Sequence, residues 1–187
     1  RFGEIEVDAK GQTNLPGIFA VRTIPDTRRI RAWIEERRPQ RALVVGGGFI
    51  GLEMAENLAH RGMQVTILEK LPQIMPPLDA EMAATVRAYL EEKGVTLHTG
   101  DGLAGFEADQ AGGLAARTES GALLPTDLVI LSIGVRPETG LATAAGLALG
   151  ARGGIEVDPE MRTSDAYIWA VGDAVEVRDF ISGQEVI

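Results

Sequence analysis

Three glycines, Gly46, Gly48 and Gly51, stand in the order G-x-G-x-x-G between an aliphatic run, Ala42 to Val45, and a helical pattern that begins at Phe49. Each spacing has a physical use. Gly46 permits a tight strand-to-helix turn. Gly48, without a side chain, lets a pyrophosphate approach the backbone, and Gly51 lets the helix pack closely on the strand. The free N–H groups at the helix mouth, and the positive end of its dipole, would then face the phosphates. Glu69 follows a second strand signal, Gln64 to Leu68. It lies about twenty residues beyond the glycines, where a carboxylate accepts hydrogen bonds from adenosine ribose hydroxyls. A glycine pattern alone is a weak signal. A strand before it, a helix after it and an acid at this distance together point to a dinucleotide.

Glu69 also bears on which dinucleotide. A carboxylate there welcomes the 2'-hydroxyl of NAD and repels the 2'-phosphate of NADP. Lys70, next to it, could turn toward a phosphate. The expected ligand is NAD(H), with NADP(H) left open.

The elements that must position these residues follow from periodicity. Arg1 to Val21 contains two short strand signals, Glu4 to Val7 and Gly17 to Val21. Thr23 and Asp26 have capping-box spacing, and Pro25 suits a first helical turn. Ile30, Trp33 and Ile34 line one face of that helix, and Pro39 ends it. Its many arginines read as a solvated face interleaved with Asp26, Glu35 and Glu36. From Arg41 the pattern is β-α-β-α-β: strands Ala42–Val45, Gln64–Leu68 and Val95–His98, helices Phe49–Ala59 and Asp79–Lys93. Such alternation implies parallel pairing. Leu103 to Leu124 reads as an antiparallel meander, and Leu128 to Ile133 as a further apolar strand. A short helix is expected over Glu138–Ala145, strands at Ile155–Val157 and Ile168–Val171, and a Ser-Gly hairpin in "RDFISGQE". The fold class is α/β, a Rossmann-like parallel sheet with an antiparallel β-meander. "IEVD" occurs twice, at Ile5–Asp8 and Ile155–Asp158. It reads either as chance or as two equivalent strands flanking the central unit.

The totals restrict function. The net charge of -9 disfavours nucleic acid. No apolar run approaches the ~20 residues of a membrane span. Arg1 to Lys10 shows no secretory pattern, so the expected location is cytoplasmic. With no cysteine there is no disulfide, thiolate metal site or thiol nucleophile. His60 and His98 lack metal-ligand spacing. Both read as structural, His60 closing the first βαβ helix and His98 ending the third strand without a partner. Met75, in "LPQIMPPLD", reads as a packing residue in a loop over the adenosine side.

A second constellation, "TSDAYIWAVGD", ends in Gly172-Asp173, where a carboxylate is presented to a hydroxyl-bearing ligand. Together "VVGGGFIGLEMAENL", "DLVILSIGVRPET" and "TSDAYIWAVGDAVEV" resemble the flavin-dependent pyridine nucleotide-disulfide oxidoreductases. The nearest branch in resemblance is coenzyme A-disulfide reductases with the related NADH oxidases and peroxidases. The resemblance spans Val21 to the C-terminus. It implies an NAD(P)-binding domain at residues 22–137, inserted in an FAD-binding domain whose returning segment is 138–187. Residues 1–21 are a flanking segment of uncertain kind. It implies that Gly46, Gly48, Phe49, Ile50 and Gly51 cradle the NAD pyrophosphate and that Glu69 holds the ribose. Gly134 would let the cofactor pass the sheet edge, and Asp173 would meet the ribityl chain of FAD. Glu53 resembles the family glutamate near the nicotinamide; it reads equally as a solvated acid favoured by the helix dipole.

Two departures matter. No flavin fingerprint precedes Gly46, and the family's redox cysteine is absent. The expectation is therefore a piece of an oxidoreductase that binds NAD(H) but does not turn over alone. The whole enzyme would be a homodimer holding FAD and acting on a small disulfide, a persulfide or oxygen. The alternative is a stand-alone NAD(H)-binding sensor or regulatory module. A single-cofactor dehydrogenase is disfavoured because neither histidine is placed for acid–base work.

Overall fold

The structure, a computed structural model, describes residues 15–108 and 113–187. It forms two compact units, one ending at Gly134 and one running from Val135 to Ile187. The strand signal at Glu4–Val7, the first "IEVD" and part of the meander's first turn lie outside the described residues.

The first unit is built on a five-stranded parallel sheet. Its strands are β1 (Ile18–Ala20), β2 (Arg41–Val45), β3 (Gln64–Glu69), β4 (Thr96–Thr99) and β8 (Leu128–Leu131), in the order β1-β8-β2-β3-β4. Helices α1 (Ile24–Arg37), α2 (Phe49–His60) and α3 (Ala80–Glu92) connect them. The expected helix start is seen at α1: the Thr23 and Arg22 amides donate to Asp26 Oδ2 at 2.7 and 3.1 Å.

The unbroken aliphatic runs of β2 and β8 follow from burial on both faces. Ala42, Val44, Leu128 and Ile130 pack with Ile30, Ala55, Leu58 and Leu90 of the helices. Their neighbours Leu43, Val45, Val129 and Leu131 pack with Phe106 and Ala116 on the other side. That second side is the antiparallel meander β5 (Leu103–Ala108), β6 (Leu114–Thr118) and β7 (Leu123–Thr126). Each fully buried Leu or Ile contributes about 1.5–3 kcal/mol, so the meander replaces the second helical layer that such a sheet otherwise needs.

In the second unit α4 (Gly140–Ala144) precedes a small sheet of β9 (Ile155–Glu156), β10 (Val175–Arg178) and β11 (Glu185–Val186). Strand β10 pairs parallel with β9 and antiparallel with β11, which gives the expected hairpin. The strand expected at Ile168–Val171 is not formed. Only one bridge, Arg162 to Trp169, is made there, and Trp169 and Val171 are exposed. Ile168 instead closes a turn, its amide donating to the Asp165 carbonyl and its carbonyl accepting from Thr163. A strand needs a partner along its length, and here the local turn takes the hydrogen bonds. The two "IEVD" neighbourhoods also diverge, since Ile18–Ala20 is a strand and Ile168–Ala170 is not.

Candidate functional site

Strand order reverses beside β2: β3 and β4 lie on one side of it, β8 and β1 on the other. Ligands of open α/β sheets bind at the carboxyl ends of strands at such a switch. Gly46 leaves β2 at this place, and Ser132 leaves β8 next to it, its amide donating to the Val45 carbonyl at 2.7 Å.

The four glycines of the turn have different reasons. Gly46 has φ +104, and a Cβ there would collide with the Ser132 carbonyl. A Cβ on Gly51 would overlap the Gly46 carbonyl. One on Gly47 would sit 2.8 Å from Ile74 Cγ2. Gly48 differs. Its φ is -81, open to any residue, and nothing lies within 4 Å of its Cβ position. Gly48 is also the N-cap of α2 and so offers no side-chain acceptor to the helix's first N–H groups. A serine or aspartate would cap them. The helix mouth is thus bare, uncapped and flanked by the exposed apolar side chains of Phe49 and Ile50. That is the form of an anion seat.

The turn is clamped from the segment after β3. Glu69 Oε2 accepts from the Gly47 amide at 2.6 Å, and Oε1 from the Leu71 amide at 2.7 Å. The Met75 amide donates to the Gly47 carbonyl at 2.8 Å, and Ile74 is buried against Gly47. Met75 is itself buried, as a packing residue should be. A carboxylate has about four lone-pair sites, so Glu69 keeps acceptor capacity after both bonds. Ile74 and the double role of Glu69 escaped the sequence reading, because contact across the turn leaves no periodic signal.

The Lys70 Nζ lies 2.9 Å from Glu119 Oε1, in the turn between β6 and β7. Glu53 is exposed on α2. Gly134 follows β8 with φ +106. Asp173 lies in the second unit, exposed, and lines a depression there with Arg136 and Arg152. The buried Glu176 accepts from the Arg152 and Gly154 amides at 2.9 and 3.2 Å, which fixes that loop.

His98 does have a partner, contrary to expectation. Gly100, with φ +76, turns the chain back after β4 and brings Asp101 Oδ2 within 3.0 Å of His98 Nε2. Ser120 donates to the same carboxylate, through its amide at 3.0 Å and its hydroxyl at 2.5 Å. The Ser120 hydroxyl and then His98 hold the Asp101 carboxyl well below the usual carboxylate range. An ionised carboxylate only accepts, so His98 Nε2 is the donor.

Residues 20–185 match the family model of pyridine nucleotide-disulphide oxidoreductases. The chain belongs to that family. A curated pyridine nucleotide-disulphide oxidoreductase relative, the NADH oxidase of Methanocaldococcus jannaschii, is 42% identical over 175 residues, which are 93% of this chain and 38% of the relative. The crystal structure of reduced Bacillus anthracis CoADR-RHD is 47% identical with a TM-score of 0.82, covering 91% of this chain and 30% of that one. Water-forming NADH oxidase from Lactobacillus brevis, bound to NADH, is 28% identical with a TM-score of 0.78, covering 92% and 38%. The chain therefore spans roughly a third of the length of these family members. The mixed α/β fold agrees with these oxidoreductase neighbours, and the family binds FAD and NAD(P)H. Among the described residues no helix is long and apolar enough to cross a membrane.

Proposed function

We propose that the first unit binds NADH, with the pyrophosphate on Gly46, Gly48, Phe49, Ile50 and Gly51 and the adenosine ribose on Glu69. The observation that carries this reading is Gly48: neither backbone angle nor neighbouring atoms require glycine there. Space and uncapped N–H donors remain, and a phosphate needs both. Residues 22–137 are read as the NAD(P)-binding domain and 138–187 as a returning FAD-domain segment.

The chain's own residues bind and orient. The α2 mouth places two negative charges on backbone donors. Glu69, already held by the Gly47 and Leu71 amides, presents remaining lone pairs to ribose hydroxyls without having to reorganise. Gly134, just after β8, leaves room beside the sheet edge, and exposed Glu53 on α2 is the acid assigned here to the nicotinamide side. Asp173 is the group this chain offers to a ribityl hydroxyl of FAD. When bound, the nicotinamide supplies a hydride, which the enzymes of this family pass through flavin to an acceptor; a disulfide, a persulfide or oxygen is proposed here. With no cysteine in its 187 residues, this chain supplies nucleotide binding and not the redox thiol.

Titration of the chain with NADH, NADPH and FAD tests the reading. Saturable NADH binding, tighter than NADPH and far tighter than FAD, is expected, with no disulfide turnover. Absence of NADH binding by the folded chain overturns it.

A further inference from the structure

We propose that Glu119 sets the nucleotide preference of this site by holding Lys70, so that the cation beside the ribose acid is withheld from a 2'-phosphate. The inference rests on the NADH-site reading above. Lys70 directly follows Glu69, and a cation near that acid can accommodate the extra phosphate of NADPH. Its ammonium is instead on Glu119, 2.9 Å away.

Both side chains are exposed, and an isolated surface pair of this kind has little strength. Here the two backbones are pinned to one short stretch, residues 100–102. The Asp101 amide donates to the Glu69 carbonyl at 3.2 Å, and the Gly100 amide to the Leu71 carbonyl at 2.8 Å. Lys70 lies between those two anchors. The Glu119 amide donates to the Gly102 carbonyl at 2.8 Å. Ser120, beside it, is held by both oxygens of Asp101. The partners are thus delivered to each other by main chain, and only side-chain rotamers remain to be ordered.

Gly102 gives an independent sign that this placement is built. A Cβ there would lie 2.6 Å from the Glu119 carboxyl carbon. The Glu119 carboxylate occupies the space that a side chain at residue 102 would need. Its effect on a 2'-phosphate is to engage the adjacent cation. NADH has no phosphate at that position and is indifferent to it.

The test is the dissociation constants of NADH and NADPH for the unaltered chain, Glu119→Gln, and Glu119→Gln combined with Lys70→Ala. Glu119→Gln removes the charge and keeps the size at an exposed position, so the melting temperature serves as the control for folding. NADPH is expected to bind about fivefold more tightly to Glu119→Gln, the scale of one surface ion pair, with NADH changed less than about twofold. Lys70→Ala in the same chain is expected to remove the gain. Unchanged NADPH affinity in Glu119→Gln, or a gain that survives Lys70→Ala, overturns the inference while leaving the NADH site standing. Failure of the unaltered chain to bind NADH overturns the site reading itself, and this inference with it.

Discussion

The carboxylate of Glu69 accepts the amide of Gly47 at 2.6 Å, so the acid that ends β3 holds the glycine turn that ends β2. The residue proposed to grip the ribose and the backbone proposed to seat the pyrophosphate are therefore one mechanical part. Neighbouring parallel strands deliver them side by side, with Val45 in register with Leu68. Preorganisation of this kind reduces the ordering cost of binding.

Gly48→Val should abolish NADH binding while leaving the fold in place, because its φ is ordinary and the space around it is empty. Loss of a glycine N-cap costs about 0.5–1 kcal/mol. Gly51→Ala should do the reverse kind of damage, since its methyl collides with the Gly46 carbonyl. A lower melting temperature is then expected before any binding is measured. Thermal melts with NADH titration separate the two, and unchanged binding in Gly48→Val removes the pyrophosphate assignment.

Glu69→Ala leaves the buried Gly47 amide without its acceptor. A stability loss of about 1–3 kcal/mol is expected from that unpaired donor. NADH affinity should fall more than NADPH affinity, because the repulsion of the 2'-phosphate disappears together with the ribose contact. Equal losses for the two nucleotides, measured side by side, would sink the ribose role.

Asp101 gives a pH dependence. Ser120 and His98 lower its pKa in the folded chain from the ordinary value of 3.8. A depressed folded pKa means that the stabilisation is fully present above pH 3.8 and is lost as pH falls below it toward the folded value. Urea midpoints of the unaltered chain and Asp101→Asn should differ at neutral pH and converge in acid below pH 3.8. A gap that stays constant down to the acid transition would show that the Asp101 charge does not anchor the turn between β6 and β7.

Much of the site was legible because its signals are local. The G-x-G-x-x-G turn, the helix that opens after it and the acid closing the next strand are each written in a few consecutive residues. Turn chemistry and side-chain periodicity act over that range. The same holds for the α1 cap at Thr23 and Asp26. The meander was recognisable from its alternation, yet its role as the second cover of the sheet was not. Residues Leu43 and Ala42 are both simply apolar in sequence; only the layers assign one to the meander and the other to the helices.

The sequence by itself determined the strand-glycine-helix turn that is proposed as the nucleotide seat, since a glycine turn between strand and helix owes its shape to the residues within it. Tertiary structure alone decided what surrounds that seat. It brought Glu119 to Lys70 and Ser120 to Asp101. Pairing of distant segments depends on the free energy of the whole packed unit, and no short stretch of chain contains that quantity.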